Sequence, residues 1–306
     1  MKLGYYSYTS HLEHDVGDMH PEHPMRVIAI NHQLEHMGIL QGAHLGSCHQ
    51  VHRQDLIRAH KEGYVDQLEL MSPTNGSILA NVDTPMAVGS LSVAYQAAGC
   101  VIEALDDLMQ NKVDRAFCAI RPPGHHAEKN KTMGFCFLNN VAIAAKKAQQ
   151  HYGLARIAVI DFDAHQGNGT IDILADDPAF LICSSFQHPS FPFSHWRNIY
   201  ENVINTPLDE GSSGIDMRRA VEAQWLQQLQ DFKPQLTIVS AGFDAHRDDP
   251  MAELNWSAED YAWLGGFLSE ISKEGPDNKM LAVLEGGYNL DALAVSCGEF
   301  ITAFHL

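Results

Sequence analysis

The chain has 306 residues, 45% of them hydrophobic and 19% charged, which is an ordinary globular composition that allows a substantial buried core. It has no apolar run of roughly eighteen residues and no charged N-terminal segment followed by an apolar one, so we expect neither a membrane span nor a signal peptide. The net charge of −18, from 20 basic and 38 acidic residues, argues against direct binding of nucleic acid and favours cationic ligands such as lysine-rich peptides.

Strand-like and helix-like segments alternate along most of the chain. Short apolar runs predict buried strands at 115–120, 156–160, 180–184, 236–240 and 280–284. Patterns of helical period fill the spaces between them, at about 87–109, 137–151, 215–231, 257–273 and 290–304. This alternation predicts one α/β domain over residues 1–306, with a mainly parallel sheet covered by helices on both faces. Residues 1–85 are less regular and are expected to supply loops and helices around the rim.

The six cysteines are scattered and include no C-x-x-C pair. Several lie within apolar strand-like or helix-like runs, where a free buried thiol is the expected state. This favours a reducing compartment, and we therefore predict a cytoplasmic location. The cysteines are Cys48, Cys100, Cys118, Cys136, Cys183 and Cys297.

Each of the five predicted strands is followed by a motif rich in polar residues, glycine or proline. In a parallel sheet, the loops that leave the carboxyl ends of the strands build the functional crevice. Five such loops on one sheet edge therefore predict a site. The motifs are RPPGHHAE (121–128), DFDAHQGNGT (161–170), SSFQHPSFPF (184–193), AGFDAHRDDP (241–250) and EGGYNLD (285–291).

Two of these motifs contain Asp-Ala-His directly after an apolar run and predict a metal site. Asp163 and His165 flank a single residue, and Asp244 completes a set of two carboxylates and one imidazole. Three protein ligands leave a coordination position open for water, as in catalytic rather than structural zinc sites. His246 is expected to be exposed or to lie outside the ligand set.

The tandem histidines His125 and His126 follow two prolines, which hold the backbone rigid before the pair. A histidine beside metal-bound water can serve as general base and then as general acid. Asp161 and Asn168 could orient the two imidazoles through their other ring nitrogens. Tyr288 follows a double glycine and is suited to donate a hydrogen bond to a developing oxyanion.

These motifs together resemble the zinc-dependent histone deacetylase family, closest to its class II and bacterial histone deacetylase-like amidohydrolase members. The resemblance runs from HPEHPMR (20–26) through GFCFLNNVAIAA (134–145) to LEGGYNL (284–290) and covers nearly the whole chain. It implies the arginase/deacetylase fold, with a central eight-stranded parallel sheet.

The resemblance also implies a role for each motif residue. The three metal ligands named above would bind zinc, and His126 would be the general base and acid. His125 would give electrostatic support together with Asp161, while Tyr288 would polarise the carbonyl. An asparagine at position 168, where other members have an aspartate, resembles the class II pattern.

A narrow tunnel for an acyl-lysine side chain is a further implication of the resemblance. Gly134, Phe135 and Phe191 would line it, and Asp83 at its mouth would hold backbone amides of the substrate. Met251 stands where polyamine-specific relatives carry a glutamate, which argues against a polyamine substrate.

A potassium ion is implied beside the catalytic metal, and Arg26 is implied near the floor of the site. The potassium site would comprise Asp161, Asp163, His165 and Ser184. Two departures from the family occur near it: Ser184-Ser185-Phe186 replaces the usual Ser-Leu-His, and Ser194-His195-Trp196 replaces the usual glycines.

The main functional prediction is a zinc-dependent amidohydrolase that removes acetyl or longer acyl groups from lysine side chains. Deacetylation of acetylpolyamines or other small amines is the first alternative. A two-manganese ureohydrolase like arginase is a second, but such sites commonly have an aspartate where this chain has Gly167. A non-catalytic acetyl-lysine binder is a third, and such proteins usually lose a ligand, a catalytic histidine or the tyrosine.

Overall fold

The computed structural model describes residues 1–305 and contains a central sheet and a separate hairpin. The strands are β1 (Leu3–Tyr6), β2 (His44–Leu45), β3 (Ser77–Asn81), β4 (Thr84–Ala87), β5 (Arg115–Cys118), β6 (Ile157–Asp161), β7 (Phe180–Gln187), β8 (Val203–Leu208), β9 (Leu236–Ala241) and β10 (Lys279–Leu284). Strands β3 and β4 form the antiparallel hairpin. The other eight form the central sheet, in the order β2-β1-β5-β10-β9-β6-β7-β8, and every neighbouring pair is parallel.

Helices follow most of these strands and cover both faces of the sheet. They are α1 (Met25–His36), α2 (Arg53–Ala59), α3 (Glu62–Met71), α4 (Ser90–Met109), α5 (Asn140–Gln150), α6 (Asn168–Leu174), α7 (Gly214–Gln224), α8 (Leu226–Phe232), α9 (Ala258–Glu274) and α10 (Leu290–His305). A short 3-10 helix spans Thr9–Glu13. None of the helices within residues 1–305 is both long enough and apolar enough to cross a membrane.

Two apolar layers lie on opposite faces of the sheet, and the strands supply both. In β9, Leu236 and Ile238 face the layer that contains α4 and α5, whereas Val239 and Ala241 face the layer that contains α9 and α10. This alternation follows from the period of two in an extended chain. Because both faces are covered, the strands are continuous apolar runs, which is why they were recognisable in the sequence.

Side-chain caps set the starts of several helices. Ser213 and Asp216 form a reciprocal capping box at the start of α7, and Ser257 and Asp260 form another at α9. The single helix predicted over 215–231 is instead the pair α7 and α8, which meet at Trp225. The indole of Trp225 is fully buried and donates a hydrogen bond to Thr206 Oγ1 of β8 at 2.9 Å.

Residues 1–85 supply helices, as expected, but they also supply strands of the central sheet that were not predicted. Strand β1 lies inside the sheet between β2 and β5. Its four residues are too few to show a clear periodicity. Strand β8 was also missed, because its sequence VINTPL mixes polar residues with a proline, which is tolerated there because β8 is an edge strand.

The expectation of free thiols was wrong for Cys48 and Cys100, which form a disulfide across 52 residues of sequence. The loop at Cys48 approaches α4 closely, and a side chain at Gly99 would place its Cβ 1.7 Å from the carbonyl oxygen of His49. No local spacing pattern reveals such an approach. The cysteines therefore do not support a cytoplasmic location, which stays a prediction. The other four thiols are free and buried.

Candidate active site

The five motif loops meet at one edge of the sheet because the strands they follow are neighbours. Strands β5, β10, β9, β6 and β7 are contiguous and parallel, so their carboxyl ends lie side by side. The side chains predicted for metal binding and catalysis are brought together there, although they come from segments separated by more than a hundred residues.

Asp163, His165 and Asp244 form a buried group whose ligand atoms all lie within 4.8 Å of one another. His165 Nδ1 is 2.8 Å from Asp244 Oδ2 and 3.2 Å from Asp163 Oδ1. The other ring nitrogen, Nε2, is 3.2 Å from the carbonyl oxygen of Met251, to which it donates. Nδ1 is therefore the ring nitrogen that faces the space between the carboxylates and would bind a metal there.

The electrostatics of this group suit a divalent cation. Burial and the charge of Asp163 raise the pKa of Asp244 to about 7, because two carboxylates close together in a dry site disfavour double ionisation. The carboxylates also pack against glycine backbone: Gly286 N donates to Asp163 Oδ2 at 2.8 Å. A Cβ at Gly242 or Gly286 would lie 2.1 or 2.6 Å from that same oxygen. A bound divalent cation would relieve the repulsion between the Asp163 and Asp244 carboxylates. Two carboxylates and one imidazole are a donor set that fits such a cation.

His125 and His126 both lie beside this group, buried, with ring centroids 3.9 Å apart. His125 Nδ1 is 3.0 Å from Asp161 Oδ2, and His126 Nδ1 is 2.8 Å from Asn168 Oδ1. The two predicted pairs are therefore present, one with a carboxylate and one with an amide.

The different partners give the two imidazoles different charges. Burial alone would lower the pKa of His125, but the charges of Asp161, Asp163 and Glu285 outweigh it and raise the pKa to about 10. Burial and the neighbouring positive charge of His125 hold the pKa of His126 well below its usual range. At neutral pH this pair of histidines thus contains one protonated and one neutral imidazole, an arrangement in which His126 can accept a proton.

Glu285 holds the histidine loop in place and was not identified from the sequence. Its Oε2 accepts hydrogen bonds from Gly124 N at 2.6 Å and His125 N at 3.1 Å. Burial raises its pKa to about 7. A carboxylate directly after the apolar run of β10 was the available signal, but the sequence does not show that the histidine loop lies above it.

Tyr288 is half-buried and lies on a loop held from two sides. Arg26 Nε donates to the carbonyl oxygen of Gly287 at 2.6 Å, and the guanidinium lies 4.8 Å from the centre of the Tyr288 ring. Arg26 therefore contacts the loop that carries Tyr288, and its place at the floor of the site stays a prediction. Asp249 Oδ2 accepts from Tyr288 N at 2.6 Å, while its Oδ1 accepts from Met251 N at 3.0 Å. Asp249 was not singled out from the sequence.

Arg26 belongs to a buried ion cluster that sequence reasoning also missed. Glu22 accepts from Arg26 Nη1 at 3.1 Å and from Arg121 Nη2 at 2.7 Å, and its Oε2 lies 3.4 Å from His14 Nε2. Burial would raise the pKa of Glu22, but the adjacent cations outweigh it and lower the pKa well below its usual range. Glu22 lies in the HPEHPMR motif, so its position was visible but its partners were not.

A cavity of about 420 Å³ leads from the surface to His126, His165 and Tyr288. Its lining includes every residue that was predicted for the tunnel, three that were predicted for metal binding or catalysis, and two for which no role was predicted, Ser190 and Phe193. Gly134 has φ of 54°, and a Cβ there would lie 2.3 Å from His126 Cδ2, so a larger residue would displace the histidine. The lining residues are Asp83, His126, Gly134, Phe135, His165, Ser190, Phe191, Phe193, Met251 and Tyr288.

The remaining predicted residues lie nearby. Asp83 is half-buried in the turn between β3 and β4 and forms part of the cavity wall. Ser184 pairs in register with Asp161, and within residues 1–305 its buried Oγ has no hydrogen-bond partner. His246 lies outside the metal-ligand group, half-buried, with Nδ1 accepting from Asp248 N at 3.2 Å.

Comparison with known proteins agrees with the resemblance. The family model for the histone deacetylase domain matches residues 20–304. The chain belongs to the histone deacetylase family. Its relatives include the histone deacetylase-like amidohydrolase of Pseudomonas aeruginosa, 32% identical over 91% of this chain and 75% of that protein. They also include the chloroplastic histone deacetylase 14 of Arabidopsis thaliana, 35% identical over 97% of this chain and 75% of that protein.

The fold is confirmed by a solved structure as well. The crystal structure of the HDA15 HD domain superimposes with a TM-score of 0.92 at 29% identity, covering 99% of this chain and 88% of that one. The arginase/deacetylase fold with an eight-stranded parallel sheet is therefore correct. As a member of this histone deacetylase family, the protein is a hydrolase of the deacetylase class.

Proposed function

We propose that this histone deacetylase family member is a zinc-dependent amidohydrolase that removes acetyl or longer acyl groups from lysine side chains. The observation that carries the proposal is the position of Asp163, His165 and Asp244, which lie buried beside a neutral histidine at the end of a cavity with aromatic walls. Three ligands of this kind leave a coordination position for water.

The chemistry needs a metal that these three residues would hold. Bound there, zinc would polarise the amide carbonyl and lower the pKa of water to about 7. The hydrogen bond from His165 Nε2 to the Met251 carbonyl supports this role, because it orients the ring so that Nδ1 is the nitrogen that would bind the metal.

Proton transfer would be carried by the histidine pair. His126 would accept the proton of the attacking water at Nε2, since Nδ1 faces Asn168, and would then donate it to the leaving amine. His125, held protonated by Asp161, would place a positive charge near the reacting centre. The Tyr288 hydroxyl would donate to the oxygen that gains negative charge.

The cavity supports an acyl-lysine substrate. Phe135 and Phe191 provide apolar walls for a methylene stem, and Asp83 at the mouth would accept hydrogen bonds from amides of the substrate backbone. Met251 offers a thioether where a polyamine would require a carboxylate. A potassium ion beside Ser184 would give its unpaired Oγ a partner, and Asp161, Asp163 and His165 would complete that site.

The alternatives differ in specific features of the site. A bridging aspartate in place of Gly167 would place its Cβ 2.3 Å from Asp161 Oδ2, which disfavours an arginase-like pair of metals. A non-catalytic binder is disfavoured because both histidines, the tyrosine and all three ligands are present. One observation favours acetylpolyamine deacetylation: Asp83 in the cavity wall is acidic and would attract a cationic polyamine.

The proposal is tested by measuring kcat/KM for an acetyl-lysine peptide and an N-acetylated polyamine side by side on zinc-loaded protein. We expect clear preference for the peptide, and no turnover of either compound by the Asp163→Ala variant. Preference for the polyamine would reject lysine as the substrate. Turnover by metal-free protein would reject the metal-dependent mechanism. Peptides with longer acyl groups would then define the acyl preference.

A further inference from the structure

The side chain behind His126 is the amide of Asn168, which can turn either its oxygen or its NH₂ group toward the histidine. Asn168 presents its oxygen to His126 Nδ1, so Nδ1 carries the proton and Nε2 is free to accept one. If the amide were reversed, its NH₂ group would face Nδ1, and the proton would move to Nε2. An aspartate would not pose this problem, because both of its oxygens accept. Something must therefore fix the amide.

We propose that Glu128 is a positioning residue that fixes the Asn168 amide and, through it, the tautomer of His126. The inference rests on the proposed role of His126 as general base. Asn168 Nδ2 donates to Glu128 Oε1 at 2.8 Å, on the side opposite the histidine. The ionised glutamate only accepts hydrogen bonds, so it selects the NH₂ end of the amide and leaves the oxygen for His126.

The other neighbours of Asn168 Nδ2 are weaker hydrogen-bond acceptors and fix the orientation of the amide less firmly. Nδ2 is 3.4 Å from the carbonyl oxygen of His126 and 3.5 Å from Met133 Sδ. The first distance is long for a hydrogen bond, and a thioether is a weak acceptor. Glu128 is the charged partner at short distance, and a hydrogen bond to an ionised acceptor is roughly twice as strong as one between neutral groups.

The backbone of Glu128 is anchored independently of its side chain, so side-chain substitution leaves the loop in place. His60 Nδ1 lies 3.0 Å from the carbonyl oxygen of Glu128, and Glu128 N donates to the carbonyl oxygen of Lys131 at 3.0 Å. Asn168 is likewise fixed as the first residue of α6, beside a close approach of Gly169 to Ala127. The contact thus joins two rigid segments.

A double-mutant cycle tests the proposal. In the zinc-loaded enzyme, Glu128→Ala is expected to lower kcat about 10-fold or more with little change in KM, as for other residues that orient a catalytic imidazole. In the Asn168→Asp background, the same substitution is expected to cost nothing or to raise kcat, because a carboxylate accepts from Nδ1 in either orientation. Glu128→Gln, whose amide can donate as well as accept, no longer selects the NH₂ end of Asn168 and should also lower kcat. Equal losses from Glu128→Ala in both backgrounds would overturn the inference.

Nitrogen-15 NMR of the His126 ring provides a second readout that does not depend on turnover, with the signal assigned by its loss in His126→Gln. We expect the Nδ1–H tautomer in the natural protein and a measurable Nε2–H population in Glu128→Ala. An unchanged tautomer in Glu128→Ala overturns the inference, whatever happens to kcat. A changed tautomer with unchanged kcat upholds the action of Glu128 and instead rejects His126 as the base.

Discussion

Adjacent residues in this site differ in charge because their partners differ. His125 faces the Asp161 carboxylate and is held protonated, whereas His126 faces the Asn168 amide and is held neutral. A neutral imidazole accepts a proton, and a protonated one stabilises negative charge. The order of two histidines in the sequence does not reveal this division. It follows from the side chains that the end of β6 and the start of α6 bring to each ring.

Replacing His126 should separate catalysis from metal binding. We expect His126→Gln to lower kcat by roughly 10²- to 10⁴-fold, the usual contribution of a general base, while zinc content stays at the natural level. Asp244→Ala is the matched control, because removing a ligand should release the metal as well as the activity. Turnover and metal content measured on the same preparations would decide. A fully active His126→Gln enzyme would rule out His126 as the base.

Tyr288→Phe should reduce the rate without altering metal content or stability. The phenol is the group suited to donate to the developing oxyanion, and losing one such donor typically costs about 10²–10³ in kcat. The ring and its contacts with Arg26 and Phe135 are kept in phenylalanine. Single-turnover kinetics with an acetyl-lysine peptide would measure the effect. A higher KM with an unchanged kcat would indicate that the hydroxyl binds substrate without giving additional stabilisation to the transition state.

His60 should make stability depend on pH. Burial lowers the pKa of His60 to about 4, and its Nε2 accepts a hydrogen bond from Asn139 N at 2.9 Å. Between pH 6.5, the usual histidine pKa, and about 4, the unfolded chain binds a proton that the folded protein does not. The free energy of unfolding should therefore fall as pH is lowered through this window, by up to about 1.4 kcal/mol per unit from this residue.

The test of this dependence is chemical denaturation of the natural protein and His60→Gln at several pH values. The variant lacks the titrating ring, so its free energy of unfolding should fall less steeply between about pH 6.5 and 4. Above pH 6.5 the two curves should run parallel. Identical slopes across the acid range would show that other groups account for the whole dependence.

The candidate metal ligands were easier to identify in the sequence than the residues that hold the surrounding loops in place. Asp163, His165 and Asp244 could be identified because each lies at the end of an apolar run, and such positions meet at one sheet edge. Glu285 and Asp249 could not, because their partners are backbone N–H groups of other loops. The sequence shows which side chains carry chemistry, but it does not show which backbone groups approach them.

At the scale of elements, the same contrast separates central strands from edge strands. Strands β5, β6, β7, β9 and β10 are buried on both faces, so their apolar runs were unambiguous. Strands β1, β2 and β8 lie at or near the sheet edges and are short or partly polar. Their pairing depends on neighbours that are distant in sequence, which local periodicity does not encode.

Two adjacent glycines in α9 should respond in opposite ways to alanine. A Cβ at Gly265 would lie 2.5 Å from the carbonyl oxygen of Phe300 in α10, whereas a Cβ at Gly266 would meet nothing within 4 Å. Gly265→Ala should therefore destabilise the protein by about 1–3 kcal/mol through overpacking of the α9–α10 contact. Gly266→Ala should stabilise it by about 0.5–1 kcal/mol through the lower entropy of the unfolded chain.

Urea denaturation of both variants and the natural protein would measure these two effects. Because the residues are neighbours on one helix, intrinsic helix propensity is matched between the variants, and their difference reports the packing against α10. Equal free energies of unfolding for the two variants would show that α9 and α10 can separate without cost.

At the scale of the whole molecule, both apolar layers share one sheet within residues 1–305, and a single domain over residues 1–306 stays a prediction. The chain has a net charge of −18. The cavity wall includes an acidic residue, Asp83. A substrate that approaches this surface is therefore attracted or repelled according to its own charge.

Salt should consequently alter the choice among peptides. We expect acetyl-lysine peptides with flanking lysines to have higher kcat/KM than peptides with flanking glutamates at low ionic strength. The advantage should shrink as salt rises, because the screening length falls to about 8 Å near 0.15 M. The comparison requires kcat/KM for both peptides over a salt series. A preference that is independent of salt would instead indicate direct contacts with the flanking residues.

Asp249 gives three functional groups a common anchor. One carboxylate oxygen holds the backbone of Tyr288, the other holds the backbone of Met251, and the Met251 carbonyl in turn receives the hydrogen bond of His165. The cavity wall at Met251 is therefore linked by hydrogen bonds to the backbone of Tyr288 and to His165, the proposed metal ligand. Under the proposed function, a substitution at Met251 that favours a longer acyl group would also shift Tyr288 and His165, so specificity and rate would change together.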